Sequence, residues 1–236
     1  MQQRVSNLNP NAQPFFPQNT NSHYQFHNNP VPIQTTKSTV KLPKRTQIQR
    51  KTTKNTSRNR RSLIPFPNTV QEAEALHITT VMIRNIPNQL RFHDLLLILD
   101  EHCFEINKTV DDPDERSKFD FVYLPMDYRK HALQRKISNL GYAFVNFTTP
   151  AAAFKFYKEF QGFAWNVTVN QKICEINAAQ YQGKDTLERI FSQKIFRCNC
   201  RKFLPMIFYK GRDGSNRRMV GTPLGIHLRG LPFTRK

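Results

Sequence analysis

The residues best suited to do chemistry are eight in a row: Leu140-Gly141-Tyr142-Ala143-Phe144-Val145-Asn146-Phe147. Their aromatic and branched side chains read as a β-strand. In a strand, alternate residues share a face. Tyr142 and Phe144 then point one way, and Ala143, Val145 and Phe147 the other. The second set is apolar and suits a core. The first sets two rings on an open sheet face, where exposed aromatic surface marks a binding site. Nucleobases stack on such rings because every base has a π-face, and each stack is worth roughly 1–3 kcal/mol. Gly141 lets the backbone pass close to a sugar or phosphate. The competing arrangement is a face covered by a helix or a partner protein.

Other elements must position this strand. Thr80 to Asn85 is a short β-rich run closed by Ile86-Pro87-Asn88. Leu90 to Cys103 carries apolar residues at 92, 95, 96, 99 and 103, a helical spacing. Asp111 to Glu115 reads as a loop, Phe119 to Met126 as a second strand, and Tyr128 to Asn139 as a basic connector. Thr149-Pro150 opens a second helix running to about Gln161. Lys172 to Ala178 is the fourth strand. The order β-α-β-β-α-β predicts an α+β, ferredoxin-like fold with a four-stranded antiparallel sheet. Asp185 to Lys194 predicts an extra C-terminal helix, with Leu187, Ile190 and Phe191 on one side. Its expected place is the sheet edge or the bottom of the domain. Were it to cover the sheet, RNA access would require it to move.

Alternation places further residues near the rings. Met82 faces out from the first strand. Phe121 and Tyr123 share a face of the second strand, and the expectation places Val122 and Leu124 in the core. On the fourth strand Glu175 and Asn177 face out. Asn85 and Asn177 are the candidates for hydrogen bonds to base edges, and Glu175 reads as solvated.

Charge is uneven. The 236 residues carry 36 Lys+Arg and 17 Asp+Glu, a net +19, with a pI near 10.1 and a mean hydropathy of −0.62. Residues 1–76 hold 11 basic and two acidic residues (+9) and residues 77–196 hold 15 and 14 (+1). Residues 197–236 hold 10 and one (+9). The balanced middle reads as a folded domain, and the flanks as polyanion-binding arms. The first 70 residues contain no acid and no apolar periodicity, and so read as disordered. Lys44-Arg45 and Arg58-Asn59-Arg60-Arg61, twelve residues apart, are either a bipartite nuclear import signal or a loose phosphate-binding arm. Arg217-Arg218 is either a phosphate clamp or a solubilising end.

Several classes are set aside. The longest apolar runs, such as Leu95 to Leu99, are too short to span a bilayer. The first ten residues lack a secretory apolar stretch. Four cysteines make no disulfide scaffold at this length, so a reducing, intracellular setting is expected. The seven histidines form no pair with metal-ligand spacing, and Cys198-Asn199-Cys200 lacks a partner pair. No G-x-S-x-G, phosphate-cradling loop or acid–base constellation is present. Neither enzyme, metal nor cofactor is expected.

The octamer matches that of RNA recognition motifs at seven of eight places. Leu140 stands where a basic residue is usual, and Met82 where the first strand usually carries an aromatic. Thr80 to Asn88, Phe119 to Asp127 and Asn139 to Phe147 together resemble the C-terminal RNA recognition motif of Mei-two-like proteins. Lys172 to Glu175, Gln182-Gly183, Phe203-Leu204-Pro205 and Gly211 to Gly214 continue the resemblance. It implies an RNA-binding regulator of the meiosis and development type, here in a short, single-motif form. It also implies a family-specific segment after the fourth strand.

A second resemblance lies in the arm. Ser6 to Pro17 is similar to the peptide that binds the MLLE domain of poly(A)-binding protein. Leu8 and Phe15 are isolated apolar anchors in a polar chain, with Ala12 and Pro17 completing the pattern. Such a segment orders only when its anchors enter pockets on a partner. The expected layout is a disordered arm over 1–76 and an RNA recognition motif over 79–182. A family extension over 183–214 and a basic tail over 215–236 complete it. The expected protein is a monomer that binds single-stranded RNA and poly(A)-binding protein in the nucleus and cytoplasm. The alternative is a ferredoxin-like protein-interaction module whose arms hold RNA nonspecifically.

Overall fold

The computed structural model describes residues 63–165 and 172–229. The peptide at 6–17 and the basic clusters Lys44, Arg45, Arg58, Arg60 and Arg61 lie outside the described residues. In chain order the elements are β1 (Ile64–Pro65), α1 (Val70–Ala75), β2 (Thr80–Arg84), α2 (Phe92–Asn107), β3 (Phe119–Tyr123), α3 (Tyr128–Gln134) and β4 (Tyr142–Phe147). Then come α4 (Pro150–Phe160), β5 (Glu175–Ala178), α5 (Lys184–Ser192), β6 (Ile195–Arg197), β7 (Met206–Arg212), β8 (Thr222–Pro223) and β9 (Ile226–Leu228).

The sheet order is β1-β5-β2-β4-β3-β7-β8, and every pairing in it is antiparallel. The central four strands, β5-β2-β4-β3, are the expected ferredoxin-like sheet. One short strand extends it beyond β5 and two extend it beyond β3. β6 and β9 form a separate parallel pair.

The alternation in the strands decides the core. Val81, Ile83, Val122, Ala143, Val145, Phe147 and Ile176 face α2 and α4, where they meet Leu95, Leu99, Phe156 and Phe160. Fully burying such a side chain stabilises the fold by roughly 1.5–3 kcal/mol each. The α4 start is set by Thr149, whose hydroxyl accepts from Ala152 N–H at 3.2 Å, and by Pro150 at the first helical position.

Four expectations need correction. The basic tail expected from residue 215 belongs to the fold as far as Leu228: β8 pairs with β7, β9 pairs with β6, Leu224 is buried, and Arg217 pairs with Glu101 of α2. The folded unit begins before residue 76: Phe66 is buried and stacks on Tyr157 with ring centroids 4.6 Å apart. Residues 128–134 are a helix, because the Asp127 carboxylate accepts from Lys130 N–H at 2.9 Å and caps it. The fourth strand is shorter than expected, as Ile173 makes only an isolated bridge to Ala164.

Two polar nodes, the first buried and the second half-buried, tie the motif together. Asn139 donates to Pro87 O and Leu90 O at 2.7 and 2.8 Å and accepts from Gly141 N–H at 2.7 Å. Gln182 accepts from the N–H groups of Thr79 and Thr80 and donates to Thr80 O and Ala179 O. The second node fastens the start of the C-terminal extension to the start of β2.

Candidate nucleic-acid interface

The sheet face opposite α2 and α4 is assembled by strand register. Met82 lies between Phe144 and Asn177, and Arg84 between Tyr142 and Glu175. Tyr123 pairs with Phe144 and Phe121 with Asn146. Tyr142 and Phe144 meet edge to face, their centroids 5.8 Å apart. Both are half-buried, as are Met82, Arg84 and Asn177. Burial pushes the Tyr142 hydroxyl above its usual pKa.

The β3 side of this face is closed. Val122 and Leu124 lie in the main core as expected. Phe121 is fully buried and packs on Phe191 of α5 at 5.3 Å. Tyr123 is held edge-on between Phe191 and Phe196 at 5.3 and 5.9 Å. Leu187, Phe196, Cys198, Leu204, Ile207 and Leu224 complete this second apolar cluster, and Phe144 leans against it. α5 therefore lies over β3, not at the sheet edge or domain bottom, and Phe121 is no open stacking ring. The reason is chemical: three apolar residues on one side of a nine-residue helix need an apolar surface, and β3 offers aromatic ones. A β-bulge between Phe119 and Phe121 sharpens this division, sending Phe119 into the main core and Phe121 into the second cluster.

What stays partly open is a strip across β5, β2 and β4: Met82, Arg84, Tyr142, the free flank of Phe144, and Asn177, whose Oδ1 is itself buried and without a hydrogen-bond partner among the described residues. Asn85 leaves β2 with φ 58°, a left-handed turn that Asn tolerates better than most residues. It thus sits beyond the strand end, not on the pleated face. Arg84 was missed in the sequence, although it lies two residues from Met82 and alternation alone puts it beside Tyr142. Its guanidinium donates to Glu175 at 2.8 Å, so Glu175 is paired and not simply solvated. An exposed pair of this kind contributes only about 0–1 kcal/mol. Arg84 is therefore cheap to redirect, and it restores on β2 the cation that Leu140 withholds from β4.

Among the described residues no group of three His, Cys, Asp or Glu side chains converges to hold a metal ion. No described helix is long and apolar enough to cross a membrane. The thiols of Cys103 and Cys174 are buried, and burial raises both, that of Cys174 to about 12.

Comparison with known proteins agrees with this geometry. Residues 78–192 match the family model described as RNA recognition motif 2. The chain is 40% identical over 141 residues to the "Protein terminal ear1 homolog" of Oryza sativa subsp. indica, covering 58% of this chain and 20% of that protein. It is 40% identical over 159 residues to "Protein MEI2-like 7" of Oryza sativa subsp. japonica, covering 66% and 40%. It is 31% identical over 155 residues to "Protein MEI2-like 1" of Arabidopsis thaliana, covering 65% and 15%. The chain thus spans less than half the length of each of these relatives. A ferredoxin-like sheet, a Tyr-Ala-Phe strand facing away from the helices and a match running into α5 meet in one segment. Residues 78–192 are an RNA recognition motif of the Mei-two-like family.

Proposed function

We propose that this protein is an RNA-binding regulator that takes single-stranded RNA on the open strip of its sheet. The observation that carries this reading is the pair of half-exposed rings, Tyr142 and Phe144, left uncovered where the β3 side of the face is sealed. Bases stack on these two rings, Met82 extends the apolar floor, and Asn177 and Asn85 bond base edges. Arg84 exchanges Glu175 for a phosphate. Phe121 and Tyr123 support the rings from beneath the cap without touching RNA. The test is RNA binding by the full chain at physiological salt. Tyr142→Ala and Phe144→Ala are each expected to fold and to lose about tenfold in affinity, as one stack is worth roughly 1–3 kcal/mol. Wild-type binding by both folded variants would overturn the reading.

The arms extend the proposal. Leu8, Ala12, Phe15 and Pro17 dock on the MLLE domain of poly(A)-binding protein, which concentrates the protein on polyadenylated messages. Pull-down by the isolated MLLE domain is expected to fail for Leu8→Ala plus Phe15→Ala; undiminished capture would rule the tether out. The protein acts as a monomer in nucleus and cytoplasm, with Lys44, Arg45, Arg58, Arg60 and Arg61 serving import. The second reading, a protein-interaction module, draws support from the sealed β3 half. It requires that ring substitutions leave RNA affinity unchanged while deletion of the basic flanks abolishes it.

A further inference from the structure

Beside the strip lies an open pocket of about 460 Å³ that the ring chemistry does not explain. Its walls carry Arg91, Lys130, Arg135, Lys136 and Lys172, and no carboxylate lines it. These five come from three separate places in the chain: the approach to α2, α3 with the turn after it, and the approach to β5. Among the described residues, no carboxylate lies within 4 Å of any of their charged groups. Five like charges around one concavity favour an anion there, even with the Asp94 and Asp127 carboxylates nearby on the backbone N–H groups of Arg91 and Lys130.

The local structure fixes one of these charges and sets the backbone at another. Lys172 Nζ donates to Ile86 O at 3.0 Å and to Asn88 Oδ1 at 2.9 Å. An ammonium has three donors, so one remains for a ligand. Arg135 closes α3 with φ 57°, a left-handed posture that is strained for a residue with a Cβ. That turn carries the chain from Arg135 into Lys136 and places consecutive cations at the rim. The pocket is also joined to the rings. Ile86 N–H donates to Gly141 O at 3.0 Å, next to Tyr142, and Pro87 already lines the pocket.

We propose that this pocket is a phosphate site, which grips the phosphoryl groups of an RNA strand whose bases stack on Tyr142 and Phe144. The proposal rests on the RNA-binding reading for its occupant, but the phosphate chemistry stands on the pocket alone. Two sources share that chemistry: an internal backbone phosphate and a terminal 5′-phosphate.

The experiment uses the full chain and two kinds of probe. Inorganic pyrophosphate, titrated against isotope-labelled protein, is expected to shift the amides of Gln89, Lys136, Ile137 and Ser138 before those of α4. Unmoved pocket amides overturn the proposal. RNA affinity is then compared for Arg135→Gln plus Lys136→Gln and for an equal-charge control, Lys158→Gln plus Lys210→Gln, remote from the pocket. The pocket variant is expected to lose about tenfold relative to the control. Its salt dependence should be shallower by about 0.7 in slope for each phosphate the variant no longer neutralises. Equal affinity and equal slope in both variants overturn the proposal. An oligonucleotide with a 5′-phosphate that outbinds its 5′-hydroxyl form only in wild type assigns the site to a strand end. Equal binding of the two forms, both weakened in the pocket variant, assigns it to an internal phosphate. If ring substitutions leave affinity intact while the pocket variant loses it, the sheet reading fails and the phosphate site stands; the reverse result removes the pocket alone.

Discussion

Asn146 shares the strand face of Tyr142 and Phe144 but is buried, and its partners explain why. Its Oδ1 accepts from the hydroxyls of Thr79 and Thr80, and its amide donates to Asp120 at 2.7 Å. Burial, the largest influence on Asp120, holds its carboxyl above the usual value of 3.8, against the lowering effect of the Asn146 donor. A folded value above the unfolded one means that the fold disfavours the ionised form. That cost is complete above the folded value, fades as pH falls through it, and is gone below about 3.8. Asp120→Asn keeps the acceptor oxygen and removes the charge. We expect it to match or exceed wild-type stability near neutrality and to lose that advantage by about pH 4, as urea melts across the range would read. At this scale the sequence was legible where alternation alone decides, as with Tyr142, Phe144 and Met82. It was not legible for Phe121, whose cover, Phe191, comes from far along the chain.

The elements divide along the same line. β2, α2, β3, β4 and α4 announce themselves because each carries enough apolar periodicity to show its buried side. β1 and α1 are too short for any period, and they belong to the fold through Phe66. α3 buries no side chain completely, so its only sequence signal was the Asp127 cap. The β6–β9 pairing joins segments distant in the chain and has no local signature. α5 was legible as a helix but not in its position, since its apolar side fits any apolar surface. The position has a measurable consequence. Phe191→Ala removes the ring that covers Phe121 and Tyr123, and should destabilise the fold by about 3–5 kcal/mol. RNA affinity of the folded fraction should change little, because the strip lies on the other half of the sheet. A marked rise in affinity would instead mean that α5 competes with RNA for β3.

At the scale of the molecule, the extension is bolted on by a buried ion pair. Arg212 of β7 forks onto Asp100 of α2 with both contacts at 2.6 Å, and it also donates to the carbonyls of Arg217 and Met219. Asp100 is completely buried, so the pair is worth most when compared with its halves. Arg212→Met should cost about 3–5 kcal/mol by stranding the carboxylate, and Asp100→Leu added to it should recover much of that loss, as denaturant midpoints would show. Asp213 and Gly214 complete the turn beyond it. A Cβ on Gly214 would lie 2.0 Å from Asp100 O, which explains a glycine at the end of the Gly211 to Gly214 stretch.

The same bolt governs where the chain tolerates being cut. The match to the RNA recognition motif family ends at residue 192, but β7 supplies the strand that covers the free edge of β3. A fragment trimmed to that boundary would keep Asp100 without its arginine. It would also bare the Phe-Asp-Phe-Val-Tyr edge, unpaired and rich in aromatic side chains. Such an edge recruits further copies of itself by strand addition. The fragment that behaves as a soluble unit is thus set by Phe66 at one end and by Leu228 of β9 at the other, since β8, β9 and buried Leu224 all pack on the extension. A shorter piece would report its own stickiness as though it were an affinity for RNA.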